Sequence, residues 1–205
     1  MGTIYGDVFV WTADGRPEVV ASIYRFYRPE PHRADEFHSL AFGRLIAERE
    51  GSAAWTPSRR GLELKPIPGA PPPAASAAAR LRQMRTLAQE FTSRQTNRAG
   101  VDSDMRLLAQ PIYRYENTKG DLVDGGLFVF VQGTDPELFL PIEARLTREG
   151  TTEWQYGATR MHGIHMRLYH RGREVWSVAT ISPEQVFNTR EPYVVIRFET
   201  PQGSP

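Results

Sequence analysis

Apolar and β-branched residues fall in short runs separated by glycine, proline, aspartate and asparagine, a texture that predicts strands over most of the chain. Residues 4–11, Ile-Tyr-Gly-Asp-Val-Phe-Val-Trp, and residues 19–27 flank the turn signal Asp14-Gly15 and together predict a β-hairpin. Runs at 36–42 and 62–67 predict two further strands, although Phe37 and Leu40 break strict alternation in the first. From Asp104 onward, runs at 105–115, 126–132, 137–146, 153–162, 165–170, 174–180 and 193–199 follow one another across short links. A parallel return needs a long crossover, so these strands are expected to form an antiparallel meander.

One segment has a different period. Pro66, Pro68, Pro71, Pro72 and Pro73 remove backbone donors and favour an extended chain, which predicts a linker over 66–73. Ser76 then stands where it can cap a helix over 76–93, in which Ala77, Leu81, Met84, Leu87, Ala88 and Phe91 recur at intervals of three and four. Arg80, Arg82, Arg85 and Gln89 occupy the opposite face. Glu90 and the modest apolar stripe suit packing on a sheet better than lying on a membrane. The expected fold is therefore α+β: one domain over residues 1–205, with a mostly antiparallel curved sheet packed on one principal helix.

The chain also echoes itself. Val8-Phe9-Val10-Trp11, Pro17-Glu18-Val19-Val20 and Ile23 align without gaps over Leu127-Phe128-Val129-Phe130, Pro136-Glu137-Leu138-Phe139 and Ile142. A duplicated β-unit, 4–65 and 104–199, joined by the linker and helix, would account for this. Two buried hairpins shaped by the same physics would account for it as well.

Composition narrows the function classes. The chain has 205 residues, 40% hydrophobic and 24% charged, with a formal net charge of +1, as in an ordinary soluble globular protein. That charge gives no global attraction to nucleic acid or to an anionic membrane, and no apolar run is long enough to span a bilayer. No basic-then-apolar secretion signal precedes the first strand. Cysteine is absent, which removes disulfides, thiolate metal sites and a cysteine nucleophile. Lysine occurs only at 65 and 119, so arginine supplies nearly all the positive charge. That bias suits bidentate anion binding, and equally a GC-rich coding sequence.

The stretches "LRQMRTLAQEF", "MRLLAQPIYRY", "DGGLFVFVQGTDPELFLPIEAR" and "GREVWSV", preceded by "WTPSRRGLELKPIPGAPPPAA", resemble an uncharacterised family of planctomycete proteins across most of the chain. The resemblance implies no activity, cofactor or catalytic residue. Members often carry a secretion signal before the first strand, which implies a secreted or periplasmic protein with the signal removed. The residues themselves suit the cytoplasm as well.

The candidate site lies in "RMHGIHMR", residues 160–167. A two-residue turn at Gly163-Ile164 would oppose His162 to His165, Met161 to Met166 and Arg160 to Arg167. Alternation would then put His162, His165, Arg160, Arg167, Tyr156 and Tyr169 on one face, and both methionines, Leu168 and His170 on the other. Opposed β-carbons lie about 5 Å apart, near enough for His162 and His165 to share a metal ion. Two neighbouring arginines oppose a cation, however, and favour an anion or an acidic side chain such as Glu143 or Glu153 between them. A solvated hairpin tip needs no ligand at all. The next turn, Arg171-Gly172, would pair Arg167 with Trp176 for ring stacking.

Other chemistry is sparse. No phosphate loop, dinucleotide fingerprint or nucleophile elbow is present. Ser39 follows His38 but points to the opposite face of a strand. Asp102, Asp104, Asp121 and Asp124 read as turn formers that would bind calcium only if their loops met. Trp11, Trp55, Trp154 and Trp176 could line a groove, though aromatic strand residues are more often core. The leading expectation is a non-enzymatic binding or interaction module without a cofactor. It would take a small molecule, an anionic ligand or a protein partner on its concave sheet and the His162/His165 hairpin. The alternatives are a metal-binding protein using that hairpin, and a hydrolase-like enzyme assembled only in the fold. The latter requires His32, His38 or His162 beside an acidic residue in a cleft.

Overall fold

The computed structural model describes residues 4–27, 32–116 and 120–197. Asp14 and Gly15 both take positive φ, 48° and 85°, as a two-residue hairpin turn between right-twisted strands requires. They join β1 (Ile4–Ala13) to β2 (Arg16–Phe26), which pairs in turn with β3 (His32–Ser39). A small hairpin of β4 (Ala47–Arg49) and β5 (Ser52–Trp55) and a short β6 (Lys65–Pro66) lead to helix α1 (Ala77–Gln89). Then follow β7 (Phe91–Thr96), β8 (Asp102–Leu107), β9 (Tyr113–Tyr115), β10 (Leu122–Gln132) and β11 (Asp135–Leu146). The chain ends with β12 (Thr152–Tyr156), β13 (Thr159–Arg160), β14 (His165–His170), β15 (Arg173–Val178), a 3-10 turn (Gln185–Phe187) and β16 (Tyr193–Arg197).

The fold is α+β, and every strand pairing among the described residues is antiparallel. It has three layers. Met84, Leu87 and Ala88 of α1 pack on Phe128, Phe130, Leu138, Leu140 and Ile142, which share one face of β10 and β11. The other face of the same strands, Leu127, Val129, Val131 and Phe139, packs on Val8, Val10 and Val20 of the N-terminal sheet. Burial on both faces is why these two strands read as continuous apolar runs.

Two features of the sequence reading are corrected. The helix starts after Ser76, whose hydroxyl accepts from Ala79 N at 3.3 Å, but it stops at Gln89 instead of reaching 93. Phe91, Ser93 and Gln95 are buried while Thr92 and Arg94 are exposed, a period of two that makes this segment a strand. The meander is broken as well. β14 pairs with β7, and β16 crosses to β3, so the last strand completes a separate N-terminal sheet of order β1-β2-β3-β16. Among the described residues no helix is long and apolar enough to cross a membrane.

The internal echo has a structural counterpart. Trp11 pairs with Val19 and Phe130 with Leu138, and each hairpin carries a register shift immediately after that position, at Trp11/Thr12 and Phe130/Val131. Echo partners Val8, Val10 and Val20 also face Leu127, Val129 and Phe139 across one core. The two hairpins thus pack against each other through equivalent faces.

Candidate functional site

"RMHGIHMR" is not a hairpin. Arg160 ends β13, which pairs with Leu138 and Phe139 of β11, whereas His165 begins β14, which pairs with Thr96 of β7. Residues 161–164 carry the chain between these strands. Gly163 O accepts from Ile181 N at 2.8 Å, and the carbonyls of His162 and Ile164, like any buried carbonyl, must also find a donor. Arg160 supplies it. Only 6% exposed, it donates Nε to His162 O at 2.9 Å and Nη2 to Ile164 O and to Ala179 O, the last at 2.8 Å.

The sequence-predicted site residues therefore separate. His162 is half-buried, its Nδ1 has no partner among the described residues, and burial, aided by Arg160 and Arg98, holds its pKa below the usual imidazole range. His165, Arg167 and Tyr169 share the outward face of β14, as expected, but without Arg160 or His162. His165 Nε2 lies 3.3 Å from Ser177 Oγ. Arg167 donates to Asp102 at 2.7 Å and Thr96 at 3.1 Å. A register shift after Leu168 pairs it with Ser177 rather than Trp176, so the expected stacking partner is displaced. Glu143 does not sit between the arginines of the palindrome; it is buried against Arg16, Tyr115 and Arg145. The four candidate aspartates are each engaged by arginine: Asp102 by Arg167, Asp104 by Arg94, Asp121 by Arg145 and Asp124 by Arg80 and Arg114. No group of three or more His, Asp or Glu among the described residues is placed to hold one metal ion.

What the fold does assemble around Arg160 is a cavity of about 360 Å³, lined by His38, Arg59, Trp176, Asn188 and Tyr193 among others. β13, β15, the 3-10 turn, β3 and the edge strand β16 of the N-terminal sheet all contribute to it. A second cleft of about 740 Å³ shares Arg59, Gly61, Ala158 and Trp176 with the first and adds Arg60, Lys65, Arg145 and Tyr156. Of the carboxylates lining the pair, Glu191 is taken up by Arg59 at 2.6 Å and Glu63 lies 3.6 Å from Lys65.

Arg160 itself has no carboxylate partner among the described residues, where its acceptors are the carbonyl oxygens of His162, Ile164 and Ala179. Burial pushes its pKa down to about 10, with Tyr193 acting the other way. His38 is buried, and its Nδ1 lies 3.0 Å from Ser39 O, so that nitrogen carries the proton and Nε2 is left as an acceptor. Burial, against that bond, drops its pKa to about 3, and the ring stays neutral.

The hydrolase reading required a carboxylate beside His38 or His162. Neither has one within hydrogen-bond reach among the described residues, and the side chain of His32 lies outside them. A histidine–carboxylate pair does form between His170 and Glu90 at 2.9 Å, where Arg171 also holds Glu90.

Gly61 lets the 56–64 segment close over β3. A β-carbon there would meet Ser39 O at 2.2 Å and His38 Cε1 at 2.8 Å. Gly61→Ala is therefore expected to cost about 1–3 kcal/mol in urea denaturation and to displace the wall shared by both cavities. A fully stable variant would mean that the segment does not lie this close.

Comparison with known proteins gave no matching family model, no matching curated protein and no matching solved structure. The site therefore rests on its own chemistry. Of its residues, sequence reasoning found Arg160 and Trp176 but placed them in another arrangement, and it considered His38 beside Ser39 and as a partner for an acidic residue in a cleft. Arg59, Asn188 and Tyr193 gave no local signal, because they meet only when β16 joins β3.

Proposed function

We propose that the protein is a binding protein whose paired clefts take a small anionic molecule, a carboxylate or a phosphate ester with a flat part. The observation that carries this reading is Arg160, a buried guanidinium opening on a cavity with no carboxylate to neutralise it. A buried charge without a counter-ion is costly, and a bound anion removes that cost. The planar fork of arginine suits carboxylate and phosphate oxygens, and Arg59, Arg60, Lys65 and Arg145 extend the positive field toward solvent. Trp176 and Tyr193 supply apolar walls against which a flat group can rest.

The test is thermal denaturation with inorganic phosphate, citrate and benzoate, with chloride as the control for ionic strength. At a hundredfold over its dissociation constant a ligand adds about 2.7 kcal/mol to stability, a readable melting shift. Arg160→Gln is expected to abolish the shift, and Arg60→Ala, which leaves the packed interior alone, to weaken it. A shift that survives both substitutions, or none with any of the three anions, sinks the reading.

A further inference from the structure

His38, on β3, lines the same cavity as Arg160 and is 5% exposed. Its Nδ1 lies 3.0 Å from Ser39 O, which can only accept, so this nitrogen bears the ring proton and Nε2 keeps its lone pair. The Cε1 edge of the ring is closed off by Gly61, where a β-carbon would come within 2.8 Å. Nε2 has no hydrogen-bond partner among the described residues, yet it is not sealed in the interior as His162 Nδ1 is. Its lone pair therefore opens on the cavity.

The surroundings of that lone pair are positively charged. The Tyr193 ring centroid stands 6.3 Å from the His38 ring and 5.9 Å from Arg160 Cζ, so one ring neighbours both groups. Burial drops the His38 pKa to about 3 against the Ser39 bond, and Arg160 and Arg59 press it the same way as burial. Of the other polar groups on the cavity wall, Tyr193 bonds Glu36, Glu191 is held by Arg59, and Asn188 Oδ1 accepts from Arg190 N at 3.0 Å. Gln185 is exposed and meets water. His38 Nε2 is thus a buried acceptor that a ligand can reach.

Given the anion-binding reading above, on which this rests, we propose that the cavity selects an anion that also carries a neutral hydrogen-bond donor, an α-hydroxy acid with a flat substituent being the simplest example. Arg160 takes the acidic oxygens, and His38 Nε2 accepts from the hydroxyl. A ligand that fills the cavity without a donor shuts water away from Nε2 and leaves a buried acceptor unpaired, which is the source of the selectivity. An ammonium donor in place of the hydroxyl meets the positive field of Arg160 and Arg59 and is disfavoured.

Isothermal titration of the full chain at neutral pH tests this with four probes of similar shape: phenylacetate, mandelate, α-methoxyphenylacetate and phenylglycine. Mandelate is expected to bind at least about tenfold more tightly than phenylacetate, from which it differs by the hydroxyl alone. α-Methoxyphenylacetate keeps the oxygen but has no O–H, and is expected to bind no better than phenylacetate. Phenylglycine, whose donor is charged, is expected to bind more weakly than mandelate. His38→Phe removes the acceptor and should bring the ratio of mandelate to phenylacetate affinity close to one; should that variant fail to fold, the probe series on the parent chain decides alone. Phenylacetate binding that Arg160→Gln abolishes, with mandelate no tighter, overturns the proposal and leaves the anion reading intact. A methoxy compound as tight as mandelate, or a preference that survives in folded His38→Phe, overturns it too. No binding of any of the four by the folded parent also overturns it, and the same result with phosphate, citrate and benzoate brings down the anion reading with it.

Discussion

Glu143→Leu is expected to lower the unfolding free energy by about 3–5 kcal/mol, the usual consequence of removing one partner from a buried ionic network. Glu143 is fully buried on β11. Its Oε1 accepts from Arg16 Nε at 3.1 Å and Tyr115 Oη at 3.0 Å, and Arg145 Nη1 donates to its Oε2. Arg16 follows the β1–β2 turn, donates also to Leu40 O at 3.0 Å and Glu18 Oε1 at 2.9 Å, and lies 3.9 Å from the Phe42 ring centroid. Leucine at 143 would strand Arg16 and the Tyr115 hydroxyl without their acceptor, and the bolt between the N-terminal hairpin and the central sheet would be lost. Adding Arg16→Met should restore part of the loss, since a buried ion pair replaced by apolar groups is often near neutral. Equilibrium urea denaturation measures both. A loss under about 1 kcal/mol would mean that the network is solvated and does not hold the layers together.

Stability is expected to peak near pH 4.5 and to fall on both sides. Glu36 and Glu137 ionise near 4.5 when unfolded and at about 8 when folded, so the folded chain binds more protons between these values. Their contribution is full below about 4.5 and is lost as pH rises toward 8. His38 behaves in the opposite sense: unfolded it titrates near 6.5, folded at about 3, so the unfolded chain takes up the extra proton as pH drops through that window. Where the two windows overlap, two carboxyls outweigh one imidazole, so the maximum lies at the lower edge of the overlap, near pH 4.5. Glu137→Gln should flatten the alkaline limb and His38→Gln the acid limb, each seen in urea midpoints across pH. A parent profile level from neutral pH to about 9 would show that neither carboxyl carries a raised pKa.

Much of the fold was legible where local and tertiary demands coincide. Asp14-Gly15 gave its hairpin, Ser76 its helix cap, and the apolar runs of β10 and β11 their places. The charges inside those runs were also a readable signal, because Glu137 and Glu143 interrupt strands buried on both faces and so require partners there. What misled the reading was palindromic symmetry at 160–167, where a good turn sequence met stronger competition from the open edges of β11 and β7. The helix face over 76–93 misled in the same way at its end, since Phe91 satisfies both the helical period and the strand period.

The sequence by itself determined the class of the protein: antiparallel strands, one capped helix, and two hairpins alike enough to pack through matching faces. These follow from periodicity and turn chemistry, which act over a few residues. Only the tertiary structure decided that β16 closes the N-terminal sheet, that β14 pairs with β7, and that Arg160 is left buried beside a cavity with no carboxylate partner among the described residues. Those outcomes depend on which strand edges meet and on which charges burial strands, and no local pattern of residues carries that information.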